Sequence, residues 1–235
     1  DAAKTAQGAN AVAVGFSAGT TTQGLSAVAV GYNAGGDTQG DYSVGVGYAA
    51  GATTQGISAV AVGISAGQTL QGANATAIGK SAGFTAQGTS SVAVGRSAAQ
   101  ATQGDNAVAV GYLAGASSQS INAVAVGLSS GQTSQGEQAV AVGLQAGQTS
   151  QGTRSIAIGG AAGQTNQGDN GIIINSTGAA LDDTTNGHIH IASSLGELAF
   201  TSATGWTLDG NAIVTADVVA ASTDFADFKA RVAAL

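Results

Sequence analysis

No cysteine, proline or methionine occurs among the 235 residues, and aromatic side chains make up only 4% of them. The first absence excludes disulfides and thiolate chemistry, and it is compatible with a setting outside a cell. So few large side chains beside 38 glycines make an ordinary close-packed core unexpected. Lysine and arginine number 6 against 13 acids, for a formal net charge of -7, so no basic face exists to hold phosphates and nucleic acid is excluded as a partner. No apolar run approaches the roughly 18 residues of a membrane helix, and no charged-then-apolar signal opens the chain, so membrane insertion is not expected. The sequence starts at Asp1, as a processed product or a fragment would.

What is present is a repeat. Gly15, Gly31, Gly47, Gly63, Gly79, Gly95, Gly111, Gly127, Gly143 and Gly159 stand sixteen residues apart, and Gln7, Gln23, Gln39 and their successors to Gln167 keep the same interval. Strict self-similarity of this kind means one small unit stacked on copies of itself. Disorder, the alternative suggested by so much Gly, Ala, Ser and Gln, is opposed by alternating valines.

Within a unit, Ala27-Val28-Ala29-Val30-Gly31 alternates branched and small residues, the period of a strand with two unlike faces. The Val30 column is always Val or Ile, and the Ala29 column departs from Ala in the repeats only at Gly45. The branched face is expected to fill a core and the alanine face to let a neighbour approach closely. Sixteen residues are too few for a helical hairpin but suffice for a coil of two short strands and two bends, with Gly after the strand and at Ala34-Gly35 supplying the corners. The second strand is Thr-x-Gln-Gly, with Thr69 and Gln71 expected on one face.

The invariant glutamine is either a ligand array on the surface or a ladder of amides, each donating to one coil and accepting from another; the ladder is preferred because buried amides persist only when paired. A threonine column from Thr5 to Thr165 raises ice binding as a further reading, but Asp37, Ala101 and Ser117 interrupt it. Two columns vary. One runs Phe16, Tyr32, Tyr48, Ile64, Lys80, Arg96, Tyr112, Leu128, Leu144; the other includes Leu25, Asp41, Ile57, Asp105 and Glu137. The first, largely apolar, is a subunit contact or an adhesive stripe, with Phe16, Tyr32, Tyr48 and Tyr112 as its candidate binding residues, although scattered exposed apolar residues also occur without a role.

The phrases "SAVAVGYNAG", "NATAIGKSAG" and "RSIAIGGAAG" resemble the head repeats of trimeric autotransporter adhesins of the YadA type over about residues 1–175. The resemblance implies an all-β, left-handed parallel β-roll of which three copies stand side by side as a homotrimer, in an extracellular fibre used for attachment. Sixteen residues is slightly long for that family's unit, and the glutamine column is no part of its pattern. A full autotransporter would add a heptad stalk and a membrane anchor, neither of which is found in these residues. Similar repeats occur in bacteriophage tail fibres, and the closing "STDFADFKARVAAL" resembles the end of virion fibre proteins, especially those of cyanophages. A phage tail fibre is therefore the preferred setting, on the virion, with a bacterial cell-surface head as the alternative. Either implies a host-surface glycan or protein as partner, and the first also implies other virion or fibre proteins.

The repeat gives way near residue 175 to a non-repetitive stretch, 176–216, that reads as short strands divided by Gly, Asn and Asp turns. Residues 217–235 then read as a short amphipathic helix. Val218, Ala221, Phe225, Phe228, Val232 and Leu235 follow a 3-4-3-4-3 spacing, the seam of a small trimer-closing coiled coil or of a helix packed on its own subunit.

Candidates for chemistry are few. His188 and His190 lie two apart and so on one face of a strand; around a threefold axis three chains would offer six imidazoles, enough for octahedral Fe, Ni or Zn, unless Ile189 and Ile191 take the axis and leave the histidines exposed. Similar phage fibre tips use His-x-His in that way. A polysaccharide-cleaving spike would need two carboxylates across a cleft, whereas Asp182 and Asp183 are adjacent in a turn and read as solvated. No nucleophilic triad spacing or dinucleotide fingerprint is present, and no catalytic activity is expected.

Overall fold

The computed structural model describes residues 5–194 and, beyond them, the backbone of the strands Gly196–Thr201, Gly205–Leu208 and Asn211–Val214. The helix expected at 217–235, with its seam residues, lies outside the described residues. Among the described residues there is no helix; the chain winds as an all-β parallel solenoid of about 12 coils. Each sixteen-residue coil gives a two- or three-residue strand ending at the invariant glutamine, such as Thr22–Gln23, and a three-residue strand such as Val28–Val30. The first kind stack into a sheet of 11 strands, and the 11 of the second kind begin a sheet of 15 whose last four strands lie beyond the repeat. Register is strict: Gln23 lies under Gln39, Val28 under Val44 and Ala29 under Gly45. At about 4.8 Å per coil the stack is roughly 55 Å long.

Main-chain bonds hold neighbouring coils on every side. The Val28 N–H donates to Ser43 O of the next coil at 2.9 Å, while the Gly31 and Asn33 N–H groups donate back to Val14 O and Phe16 O at 2.8 and 2.9 Å. The corners need left-handed backbone. Coil after coil repeats positive φ at four places, seen at Ser26 (52°), Gly31 (132°), Asn33 (52°) and Gly35 (53°). Such a conformation costs an L-residue roughly 1–2 kcal/mol, least for Gly and for Asn with its short hydrogen-bonding side chain. This explains why Asn, Ser and Gly dominate these columns. Gly31 has a second reason: a Cβ there would lie 2.3 Å from Gly47 O of the next coil.

The expectation about the two strand faces is overturned. Ala27, Ala29, Ala61, Ala77, Ala93, Ala109 and Ala125 are completely buried, and the branched residues face outward, half-buried at Val28 and Val30 and 56% exposed at Val14. The sixteen-residue repeat coil is too thin for branched residues inside. Gly45 reports the clearance: even a methyl added there would meet Ala50 O, across the interior, at 3.0 Å. A further pair of γ carbons has no space. The interior is therefore alanine methyls against corner glycines, with one long side chain per coil lying among them.

That side chain is the glutamine. Gln39, Gln55, Gln71, Gln119 and Gln135 are all but inaccessible. Each Nε2 donates to a strand carbonyl eleven residues back, Gln39 to Val28 O at 2.7 Å and Gln119 to Val108 O at 2.8 Å. The amides also bond to one another. Gln103, Gln119, Gln135 and Gln151 each donate to the Oε1 of the glutamine in the following coil at 3.0 to 3.2 Å, an unbroken run ending at Gln167. Gln39 to Gln55 and Gln71 to Gln87 make two further links, at 3.2 and 3.1 Å. Thr69, expected beside Gln71, is instead exposed, because the Thr-to-Gln stretch bends at the coil edge.

The last coil departs from the pattern. Ile173 replaces alanine as the one large apolar side chain fully buried among the described residues. Ile172–Asn175 then pairs in parallel with Ile189–Ser193, after which the direction reverses and the sheet ends in the antiparallel strands Gly196–Thr201, Gly205–Leu208 and Asn211–Val214.

Candidate functional site

Two regions concentrate groups able to recognise something: the outward apolar face of the larger sheet, and the end of the coil stack around residues 181–193.

On the outward face, columns of Val and Ile run the length of the stack and continue past the repeat, where Ile189 and Ile191 stack in register on Ile172 and Ile174. They stay accessible to the end, with Ile158, Ile174 and Ile191 each about two-fifths exposed. One step beyond the strand, around the corner glycine, lies the variable column. Phe16, Tyr32 and Tyr48 are exposed and stack face to face, with ring centroids 5.4 and 5.1 Å apart and planes tilted by 14° and 6°. The coil spacing imposes this, since in-register rings one coil apart are already near stacking distance. Tyr112, four coils on from Tyr48, is separated from that stack and carries the Arg96 guanidinium 5.1 Å from its ring centroid. The four candidate aromatic residues thus share one edge but form two groups.

The other variable column has a structural task at some of its positions. Asp41, Asp105 and Asp169 each accept, through Oδ1, the main-chain N–H of the residue one coil earlier: Leu25 at 2.8 Å, Thr89 at 2.7 Å and Thr153 at 2.7 Å. Asp182 does the same for Thr165 at 2.7 Å.

At the end of the stack, His190 lies in register with buried Ile173, so the imidazoles project on the inward side of their strand and the isoleucines on the outward side. Both rings meet Asp183, whose Oδ2 is 2.8 Å from His188 Nδ1 and 2.9 Å from His190 Nε2. The rings are nearly parallel, 6.1 Å apart. Asp183 Oδ1 accepts the Thr185 N–H at 2.8 Å, an Asx turn that fixes the carboxylate plane. Burial would push the Asp183 carboxyl up, but the Thr185 N–H, the His188 hydrogen bond and the nearby imidazoles outweigh it and hold the group below its ordinary range. Sequence reasoning found the two histidines and missed this partner. Asp182 and Asp183 were equivalent as text, and only the turn through Asn186 and Gly187 decides that the second faces the rings. A carboxylate five residues before a His-x-His, across an Asn-Gly turn, is the signal that could have found it.

Residues 6–34, 86–114 and 103–130 match the YadA head domain repeat. The matched coils include the start of the Phe16 stack and the Arg96–Tyr112 pair, but neither histidine. The remaining coils repeat the same geometry without a break in register between Val12–Val14 and Ile172–Asn175. No curated protein and no solved structure matches the chain. YadA head repeats on a solenoid of this kind indicate a structural, adhesin-like protein exposed at a surface.

Proposed function

We propose that this protein is the shaft and host-contacting part of a homotrimeric adhesive fibre, carried by a phage tail. One observation bears most of the argument: the apolar residues are inside out. Among the described residues only Ile173 is a large apolar side chain buried by the chain itself, while the Val and Ile columns stay open along the coils. Covering a half-exposed Val or Ile is worth roughly 1 kcal/mol or more. Repeated in every coil, that is a strong drive to bury the face, and three identical straight stacks related by a threefold axis bury it equally. The valines, rather than the alanines, then meet at the axis, and the Phe16 column lies beside the seam, open to a surface glycan or protein. Weak contacts repeated on three chains add through geometry.

The phage setting is favoured by the passage from coils into an antiparallel meander and by the closing segment that resembles virion fibre proteins. In this reading 1–175 is the shaft, 176–216 a connecting strand-rich part that joins other fibre proteins, and 217–235 a trimer-closing helix. The head of a bacterial autotransporter is the second reading, favoured by the family match itself.

Light scattering on the purified chain tests the assembly. A mass of three times 22.2 kDa is expected, and Val94→Asp with Val110→Asp should give a β-rich species of 22.2 kDa. A wild-type monomer with an intact fold refutes the proposal. For attachment, labelled trimer should bind bacterial cells or their purified surface glycan if it is a tail fibre, and Tyr32→Ala with Tyr48→Ala should weaken that binding. Failure to bind any bacterial surface would favour the autotransporter head.

A further inference from the structure

We propose that Asp183, His188 and His190 form a mononuclear site for a first-row divalent metal ion, zinc by preference, contained within one chain. Asp183 Oδ2, His188 Nδ1 and His190 Nε2 all lie within 4.8 Å of one another. Metal bonds of about 2.0–2.2 Å to these three donors require them roughly 3.0–3.5 Å apart. The two carboxylate edges, now 2.8 and 2.9 Å, need to open by only a few tenths of an ångström, and the two nitrogens, within 4.8 Å of each other, close to the same distance by χ rotation.

The donors are already oriented. The Thr185 N–H occupies Asp183 Oδ1 and leaves Oδ2 turned to the rings. The main chain at His188 is fixed by its carbonyl, which accepts the Ile172 N–H at 2.8 Å, and His190 is fixed by its place in the parallel strand over Ile173. Hydrogen-bonded support of the liganding carboxylate is the usual companion of a metal site. Two imidazoles and one carboxylate suit Zn, Co, Ni or Fe and are a poor set for Ca or Mg, which prefer oxygen. The side chains retain 11 to 16% exposure, so one edge of the site meets solvent and water can complete the coordination.

The ion would tie the segment carrying Asp183 to the strand Ile189–Ser193, at the point where the repeat ends and no glutamine continues the ladder. This arrangement differs from a site shared on a threefold axis, which takes one ion for three chains, and it holds whatever surface the fibre attaches to.

Calorimetric titration of the metal-stripped full chain with Zn²⁺ tests it, together with visible absorption after Co²⁺ addition. One Zn²⁺ per chain is expected, with a Co²⁺ spectrum of nitrogen and oxygen coordination. Asp183→Asn, which keeps the side-chain shape, and His190→Ala should each weaken Zn²⁺ binding at least tenfold. Circular dichroism verifies that the strands persist, and His188→Gln serves as a milder third variant should His190→Ala not fold. No saturable binding, one ion per three chains, or unchanged affinity in folded Asp183→Asn would each overturn the proposal.

Discussion

Gln119 and Gln71 have nearly the same surroundings and differ at one atom. Gln119 Nε2 donates to Val108 O at 2.8 Å, Ala123 O at 3.4 Å and Gln135 Oε1 at 3.0 Å; Gln71 Nε2 donates to Val60 O at 2.8 Å, Ala75 O at 3.3 Å and Gln87 Oε1 at 3.1 Å. Gln119 Oε1, however, accepts from Gln103 at 3.0 Å, whereas Gln71 Oε1 is buried without a partner. Leucine roughly preserves the volume, so the comparison isolates polar terms. Gln119→Leu removes three good hydrogen bonds at about 1 kcal/mol each and strips Gln135 Oε1 of its donor at about 1–3 kcal/mol more, a loss of about 4–6 kcal/mol. Gln71→Leu removes two, about 2 kcal/mol; it deletes one orphaned acceptor but strips Gln87 Oε1 of its donor, so the loss stays near about 2 kcal/mol. The two variants should therefore differ by about 2–4 kcal/mol. Solenoids need not unfold in one step, so native-state hydrogen exchange, read coil by coil at fixed protein concentration, is the suitable assay. Protection should fall at both sites, and much further around Gln119 than around Gln71. Equal losses at both sites would show that the amides fill space and that their bonds to one another contribute nothing.

Two corner substitutions should act in opposite directions. Ala99 occupies, at φ 47°, a column otherwise held by glycines such as Gly83 and Gly115, so Ala99→Gly should raise stability by about 0.5–1 kcal/mol after the extra chain entropy of glycine, measured as a higher midpoint in urea. Gly31→Ala drives a methyl to 2.3 Å from Gly47 O at φ 132° and should cost more than about 4 kcal/mol, seen as loss of soluble, β-rich protein.

The period, the two strands per coil and the glutamine ladder were legible because each is a property of spacing: a column sixteen residues apart must stack on itself, and a buried amide must find a partner. The inside of the coil was not legible. Alternation of Val28, Ala29 and Val30 says that two faces differ, and the usual rule puts the larger residue in the core. That rule assumes an interior wide enough for it. Here the distance across the coil is set by backbone closure over sixteen residues, a quantity no single position reports; Gly45, where a smaller residue stands in the alanine column, was the visible trace of it. The histidine cluster was half legible for a related reason. Strand periodicity put His188 and His190 on one face, but the Asp183 carboxylate reaches them through a turn whose path depends on the Asn186 side chain accepting the Asp169 N–H.

The reversal at Gly196–Thr201 has a bearing on growth. A stack of parallel strands in perfect register presents, at its last rung, the template on which another copy of itself could dock, the geometry by which amyloid fibrils lengthen. Because the three strands after Ile189–Ser193 alternate in direction, the last described rung, Asn211–Val214, runs against the coil strands and has the wrong polarity for an incoming coil. Among the described residues, the parallel template thus stops at Ile189–Ser193, and the coils end on strands that cannot repeat them.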